Sequence, residues 1–245
     1  YQNHVTSEWL ECKFTNLSQA EYNNNNDTEF KKLVKKALEA NEIKRQKAAE
    51  KLKQEREFAS KLATKIYNES DFYTQHYTAE NPHPYLKKKN LYTIINKVKI
   101  IKAEVASKLV GDAYGKTNYK LFAGSELKGD LLVIPMYNIS GEFTSLQLID
   151  INGTKYFLKG GAKSFFEITS NAPTFNNVAV AEGLATGASI KLALKDYKVF
   201  ISFDAGNLSN TVGELVKANS NVKITIFADN YKESHTGEIH AKKAI

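Results

Sequence analysis

Two apolar runs in the last third of the chain, each closed by a carboxylate, constrain the fold more than any other feature. They are Val178-Ala-Val-Ala-Glu182-Gly183-Leu-Ala-Thr186-Gly187 and Val222-Lys-Ile-Thr-Ile-Phe-Ala-Asp229-Asn230-Tyr231. A short apolar run bounded by turn residues reads as a strand buried in a parallel sheet. Open α/β sheets bind ligands outside the carboxyl ends of their strands. Glu182 and Asp229 are therefore expected at the mouth of one sheet, where a divalent metal can be held. A third run, Val199-Phe-Ile-Ser-Phe-Asp204-Ala-Gly-Asn207, lies between them in the sequence and ends the same way. From 177 onward the pattern predicts strand 178–182, helix 185–195, strand 198–203, helix 209–219, strand 222–228 and a helix from 236. Such alternation means βαβ units. The chain stops inside the last helix, so a further strand of the fold is expected to be missing.

The preceding stretch is of another kind. Leu131–Tyr137, Thr144–Ile151, Lys155–Leu158 and Phe165–Ile168 are β-rich, and Asn138-Ile-Ser-Gly141 and Asp150-Ile-Asn-Gly153 are turn signals between them. Together they predict an antiparallel meander. Further upstream, about 27–68 form one long helical pattern with Asn41 as the candidate break, and Phe58, Leu62 and Ile66 place an apolar stripe beside Ala59 and Ala63. Residues 71–84 read as a loop, with two prolines around His83, and residues 1–25, with Trp9, as a loosely tied lead segment. The expected organisation is a helical, basic segment 1–80, a β-rich subdomain 81–177 and a parallel core 178–245.

Hydrophobic residues make up 42% of the 245, enough for a real core. The single cysteine, Cys12, excludes an intrachain disulfide and fits a reducing, cytoplasmic compartment. No apolar run reaches the roughly 18 residues of a membrane span, and the polar start lacks a secretion signal. A chain that begins with Tyr1 is expected to be a fragment of a longer protein. Residues 31–65 hold twelve Lys/Arg and five Asp/Glu, an excess equal to the whole net charge of +7. Such a helix either follows a phosphate backbone or simply presents a solvated face.

Glu182 and Asp229 are the candidate catalytic and metal-ligating residues, since Mg²⁺ typically takes one or two protein carboxylates plus phosphate oxygens and water. The competing reading is that each acid caps the following helix. Asp204 is a possible further ligand, with a structural role as its alternative and Asn207 as a candidate N-cap. Gly183, Thr186 and Gly187 form a small-residue loop at a helix start, which either brings backbone amides to a phosphate or makes a tight turn; no Walker loop is present. Lys155, Lys159 and Lys163, interleaved with Tyr156 and Phe157, are candidate nucleic-acid contacts. Alternation sets Tyr156 on the opposite face from Lys155 and Phe157, and an exposed strand face remains the alternative. His235 and His240 lack the spacing and partners of a zinc site, His83 reads as a turn residue, and nothing supports a serine hydrolase.

These motifs in order resemble the Toprim domain of phage and conjugative-plasmid DNA primases, which belong to primase/helicase-like replication proteins. Glu182-Gly183, Phe203-Asp204-Ala-Gly-Asn207-Leu208 and Ala228-Asp229-Asn230 carry the resemblance. Upstream, His83-Pro84-Tyr85-Leu86 with Lys89 is similar to the family's His-Pro-Tyr-Leu element. Leu132-Val-Ile-Pro135, Gly141, Leu146-Gln147 and Lys155-Tyr-Phe-Leu-Lys-Gly160-Gly161 are similar to its β-rich segment. The resemblance spans about 80–245 and implies an α/β fold with a parallel Toprim core behind a β-rich segment. It implies that Glu182 and Asp229 hold Mg²⁺ or Mn²⁺ during RNA primer synthesis on single-stranded DNA, with the glutamate as general base. It also implies ribonucleotides as substrates and a replicative helicase as partner.

One position departs from the family. The second acid of Asp-x-Asp falls on Tyr231, a neutral phenol and a poor metal ligand. Three explanations stand: a natural variant with weakened or lost catalysis, an engineered inactive form, or a replacement ligand from Asp204 or from an acid beyond the chain's end. The functions left open are a primase fragment, a non-catalytic module that binds or loads single strands, and a Toprim nuclease.

Overall fold

The structure is a computed structural model that describes residues 28–92, 95–168, 176–229 and 236–244. The expectations for residues 1–25, for Tyr231 and for His235 lie outside them. The chain divides into two units, residues 1–51 and 52–245. The boundary falls within helix α1 (Thr28–Asn68), which contains neither Pro nor Gly and runs through Asn41 without a break. In the first unit the described side chains from Lys35 onward are exposed, apart from a half-buried Asn41.

The second unit opens with the end of α1. Ala59, Leu62, Ala63 and Ile66 are buried as the stripe requires, whereas Phe58 stays 40% exposed and rests its ring on Tyr114 at 5.3 Å. The buried residues lie on one face of an antiparallel five-stranded sheet, β1 (Asp71–Phe72), β2 (Lys99–Lys102), β3 (Asp130–Tyr137), β4 (Phe143–Ile149) and β5 (Lys155–Phe157), in that order. Helix α3 (Ala103–Ala113) covers the same face with Ala106 and Val110, against Leu131, Val133, Leu146 and Leu148. The alternate residues Leu132, Ile134, Met136 and Ile149 point the other way, into a core shared with a second sheet. The short α2 (Pro84–Lys88) adds Tyr85 and Leu86 to that core.

The second sheet contains β6 (Phe166–Ile168), β7 (Asn177–Ala181), β8 (Lys198–Ile201) and β9 (Lys223–Phe227) in the order β6-β8-β7-β9. Strand β7 is parallel to both β8 and β9, and β6 runs antiparallel to β8. The expected meander thus loses its last strand to the other sheet. Phe165, Phe166 and Ile168 are all buried, which suits a strand covered on both faces better than one on a half-open sheet. Helix α4 (Leu184–Ala193) packs Leu184 and Ala188 with Ala179, Ala181, Val199 and Ile201. Helix α5 (Leu208–Ala218) packs Leu208, Val212 and Leu215 with Val178, Val180 and Phe200 on the opposite face. The chain leaves β7 towards β8 and returns to the far side of β7 as β9, so the strand order reverses at β7. Helix α6 (Thr236–Lys243) closes the described chain. No helix among the described residues is long and apolar enough to cross a membrane.

Candidate active site at the carboxyl ends of β7 and β9

The parallel ladder pairs Ala181 with Phe227. Glu182 is the next residue on β7, and Asp229 lies two beyond the last pair on β9. Both carboxylates therefore emerge together, at the point where the strand order reverses, the crevice in which open α/β sheets bind ligands. Local contacts hold each one. Buried Ser202 donates its N–H to the Ala181 carbonyl at 2.9 Å and its hydroxyl to the same oxygen at 3.3 Å, which ties the end of β8 to the residue before Glu182. Thr186, in the first turn of α4, donates its hydroxyl to Asp229 Oδ1 at 3.3 Å. Gly237 of α6 rests on the backbone of Asp229, where a Cβ would collide with the Asp229 carbonyl oxygen.

The first sheet lies across this mouth. Between β4 and β5 the turn is organised by fully buried Asp150, whose Oδ1 accepts the N–H groups of Asn152 at 2.9 Å and Thr154 at 2.7 Å. Gly153 completes it at φ +95°, with the Tyr85 ring so close that a Cβ would stand 3.1 Å from it. The Tyr85 hydroxyl is pushed up first by burial and then by the negative charge of Asp229, which keeps it protonated. Two residues on, Lys155 Nζ reaches to 3.7 Å from where a Gly183 Cβ would stand. Phe157 meets Phe203 edge-on at 6.4 Å between centroids. Along β5, then, Lys155 comes to the residues after β7 and Phe157 to the residues after β8.

The remaining sequence candidates separate by role. Asp204 pairs with Lys163 through Oδ2 and accepts the Asn207 N–H at 3.0 Å through Oδ1, so it caps the 3₁₀ turn Ala205–Asn207. Asn207 occupies the N-cap position of α5 without a side-chain cap bond, and its buried amide donates to the carbonyls of Ser164 at 2.7 Å and Ser202 at 2.9 Å. Lys163 Nζ also stands 5.1 Å from the Phe157 ring centre. Lys159 is exposed in the turn after β5, and Tyr156 faces the opposite core, as alternation requires. Gly187 lies where α4 packs on the sheet. Its N–H bonds the Gly183 carbonyl at 2.9 Å, and a Cβ there would stand 2.6 Å from Ile201 Cγ2 and 2.8 Å from Ile168 Cδ1. It is a glycine because helix and sheet touch there, which leaves Gly183 and Thr186 at the mouth.

His83 caps α2. Its Nδ1 accepts the Tyr85 N–H at 3.3 Å and its Nε2 donates to the Asp130 carbonyl at 2.9 Å. Burial holds its pKa below the ordinary histidine value, against the opposing pull of the Asp130 bond and of the Asp130 and Asp150 charges. A neutral ring with one donor and one acceptor nitrogen satisfies both bonds. Chemically, the mouth offers two carboxylates, two hydroxyls and one ammonium. That donor set suits a hard divalent cation that completes its shell with phosphate and water. Among the described residues no group of three His, Cys, Asp or Glu side chains is placed to hold a metal by itself. Sequence reasoning missed Tyr85 and Gly237 as site residues. A Tyr directly after a helix-opening Pro and a lone Gly shortly after Asp229 were the available signals.

An antiparallel sheet laid across the carboxyl ends of a short, mostly parallel one defines a primase-like α/β fold. Among the solved structures it is similar to is the DnaG primase catalytic domain bound to ssDNA, with a TM-score of 0.50 and 9% sequence identity over 78% of this chain and 67% of that chain. At that identity the likeness is one of fold. No family model matches the sequence, and no curated protein matches it.

Proposed function

We propose that the chain carries the catalytic centre of a Toprim-type DNA primase of the phage or conjugative-plasmid kind, which makes RNA primers on single-stranded DNA. The observation that supports this reading is that Glu182 and Asp229 follow the carboxyl ends of two adjacent parallel strands, with Lys155 Nζ close to Gly183. Glu182 and Asp229 hold Mg²⁺ or Mn²⁺, which supplies charge neutralisation at the reacting phosphates. The 3′-hydroxyl of one ribonucleotide attacks the α-phosphorus of an incoming ribonucleoside triphosphate. The new P–O bond replaces the bond to pyrophosphate, and Glu182 accepts the hydroxyl proton. Lys155 and the first-turn amides of α4 near Gly183 and Thr186 face phosphate oxygens, with Lys159 and Lys163 along the template. A cytoplasmic setting and a replicative helicase as partner belong to the same reading.

Tyr231 favours a second reading, a non-catalytic module that keeps the fold and binds single strands. Primer synthesis with labelled ribonucleotides and Mg²⁺ or Mn²⁺ separates the two. A primase loses all product on Glu182→Ala while its DNA binding persists, and Tyr231→Asp raises its yield. Silence of all three proteins, with DNA binding intact, selects the binding module.

A further inference from the structure

Away from the mouth, four segments bring together a row of aromatic rings, three half-buried and one exposed. Tyr137 ends β3, Phe143 starts β4, Tyr67 lies in the last turn of α1 and Phe72 in β1. Ring centres are 5.5 Å apart from Tyr137 to Phe143 and 5.5 Å from Phe143 to Tyr67. Lys99, at the start of β2, bridges the last gap, with Nζ 4.5 Å from the Tyr67 ring centre and 5.1 Å from that of Phe72. Lys97 stands 5.8 Å from the Tyr137 ring centre. The backbone is pinned around them: Tyr67 donates its hydroxyl to the Lys97 carbonyl at 2.8 Å, and Lys99 Nζ donates to the Tyr67 carbonyl at 2.8 Å. A register shift between Met136 and Tyr137 turns the last ring of β3 out of the regular pleat.

Tyr137 packs in part against the core shared by the two sheets, and Tyr67 and Phe143 in part against the other core of the first sheet, but folding does not account for Phe72. Phe72 is 65% exposed on a strand of two residues, so its burial stabilises little. Lys97 and Lys99 face rings, and neither pairs with a carboxylate among the described residues. Of the neighbouring acids, Asp71 bonds His76 at 2.8 Å and Glu142 bonds Asn138 at 2.6 Å. A cleft of about 580 Å³ continues from Phe143 and carries Arg56 and Lys61 beside Glu57. A row of rings with Lys99 between two of them and Lys97 at its end matches a ligand with planar faces and a negative backbone, which is an unpaired nucleic-acid strand. The row also has an address. Tyr137 and Phe165 exchange backbone hydrogen bonds of 2.9 and 3.2 Å, and Phe165 lies two residues after Lys163, the partner of Asp204 beside the mouth.

We propose that Tyr137, Phe143, Tyr67 and Phe72, with Lys97 and Lys99, form a stacking surface for the bases of a single strand leading to the carboxylate mouth. The proposal rests on the single-strand reading of the site and adds where the strand runs. The test is fluorescence anisotropy of the full chain with a labelled oligothymidylate of about twenty nucleotides and with an abasic strand of equal length, enough to cover one such surface. The intact protein binds the base-bearing strand more tightly. Phe72→Ala weakens that binding by about tenfold and leaves the abasic strand unaffected, whereas Phe72→Trp retains it. Lys97→Asn, which suits the positive φ there, weakens both strands and lowers the salt slope by about one. If the chain binds oligothymidylate and neither Phe72→Ala nor Lys97→Asn changes that, the strand runs elsewhere and only this proposal is overturned. If the intact chain binds no single strand, this proposal and the function it rests on are overturned together.

Discussion

A hydrogen in place of a methyl group at position 237 is what lets α6 rest on the backbone of Asp229. Gly237→Ala forces that backbone to move, at a cost of about 1–3 kcal/mol for overpacking. Because the carboxylate moves with it, Mn²⁺ affinity measured by magnetic resonance titration is expected to fall as well. Gly213 is the control: nothing lies within 4 Å of its Cβ position, on the interior of α5. Gly213→Ala is expected to be neutral or to stabilise by up to about 1 kcal/mol. Equal losses at both positions would remove the packing argument for Asp229. His83 gives a prediction in pH. Its folded pKa is depressed by burial, so the unfolded chain takes up a proton first as pH falls. Its contribution is complete above the unfolded value of about 6.5 and is lost as pH drops through the lower folded value. Thermal melting from pH 7 to pH 5 should show this loss, and His83→Gln, which keeps the donor to the Asp130 carbonyl, should flatten it.

At the scale of elements, the β4–β5 hairpin positions the overlying side of the mouth. Asp150 is fully buried and accepts backbone N–H groups on both oxygens, so Asp150→Ala strands those donors at a cost of about 3 kcal/mol. Tyr85 packs on Gly153 and Lys155 follows it, so under the proposed function the same change should reduce primer synthesis beyond the loss of folded protein. Activity that tracks the folded fraction alone would make the hairpin a scaffold only. This turn was legible in the sequence, since Asp-x-Asn-Gly states its own conformation locally. So were β3 to β5 and the alternation from β7 to α6, whose periodicities are local too. The run ending in Ile168 was legible as a strand but not as a member of its sheet, because pattern does not name a partner. Strand β1, only two residues long, and Lys99-Ile-Ile-Lys102 carry too little periodicity to stand out. The approaches of Tyr85 to Gly153 and of Lys155 to Gly183 join residues far apart in the chain, and no local signal records them.

At the scale of the molecule, residues 52–245 form one compact unit whose core passes through both sheets, with Ile134 and Met136 of the first beside Ala179 and Val199 of the second. No boundary in packing separates the overlying sheet from the carboxylate mouth, so the two are expected to melt together. Helix α1 enters this unit only with its last turns. From Lys35 to Lys51 its side chains are exposed or half-buried, whereas Leu62 is 4% exposed and Ala63 and Ile66 are fully buried against the first sheet. Residues 1–51 form a unit of their own, so deleting them is expected to leave residues 52–245 melting in one cooperative transition. Extending the deletion through Ile66 strips the cover from Leu131, Val133, Leu146 and Leu148, and each large buried side chain removed costs about 2–5 kcal/mol. Against a typical total stability of about 5–15 kcal/mol, that loss is enough to abolish folding. Calorimetry of the two truncations distinguishes the cases. One transition for the shorter deletion and none for the longer one is the expected result. Two separate transitions for the shorter deletion would mean that the sheets unfold independently, and the mouth could not then owe its geometry to the sheet above it.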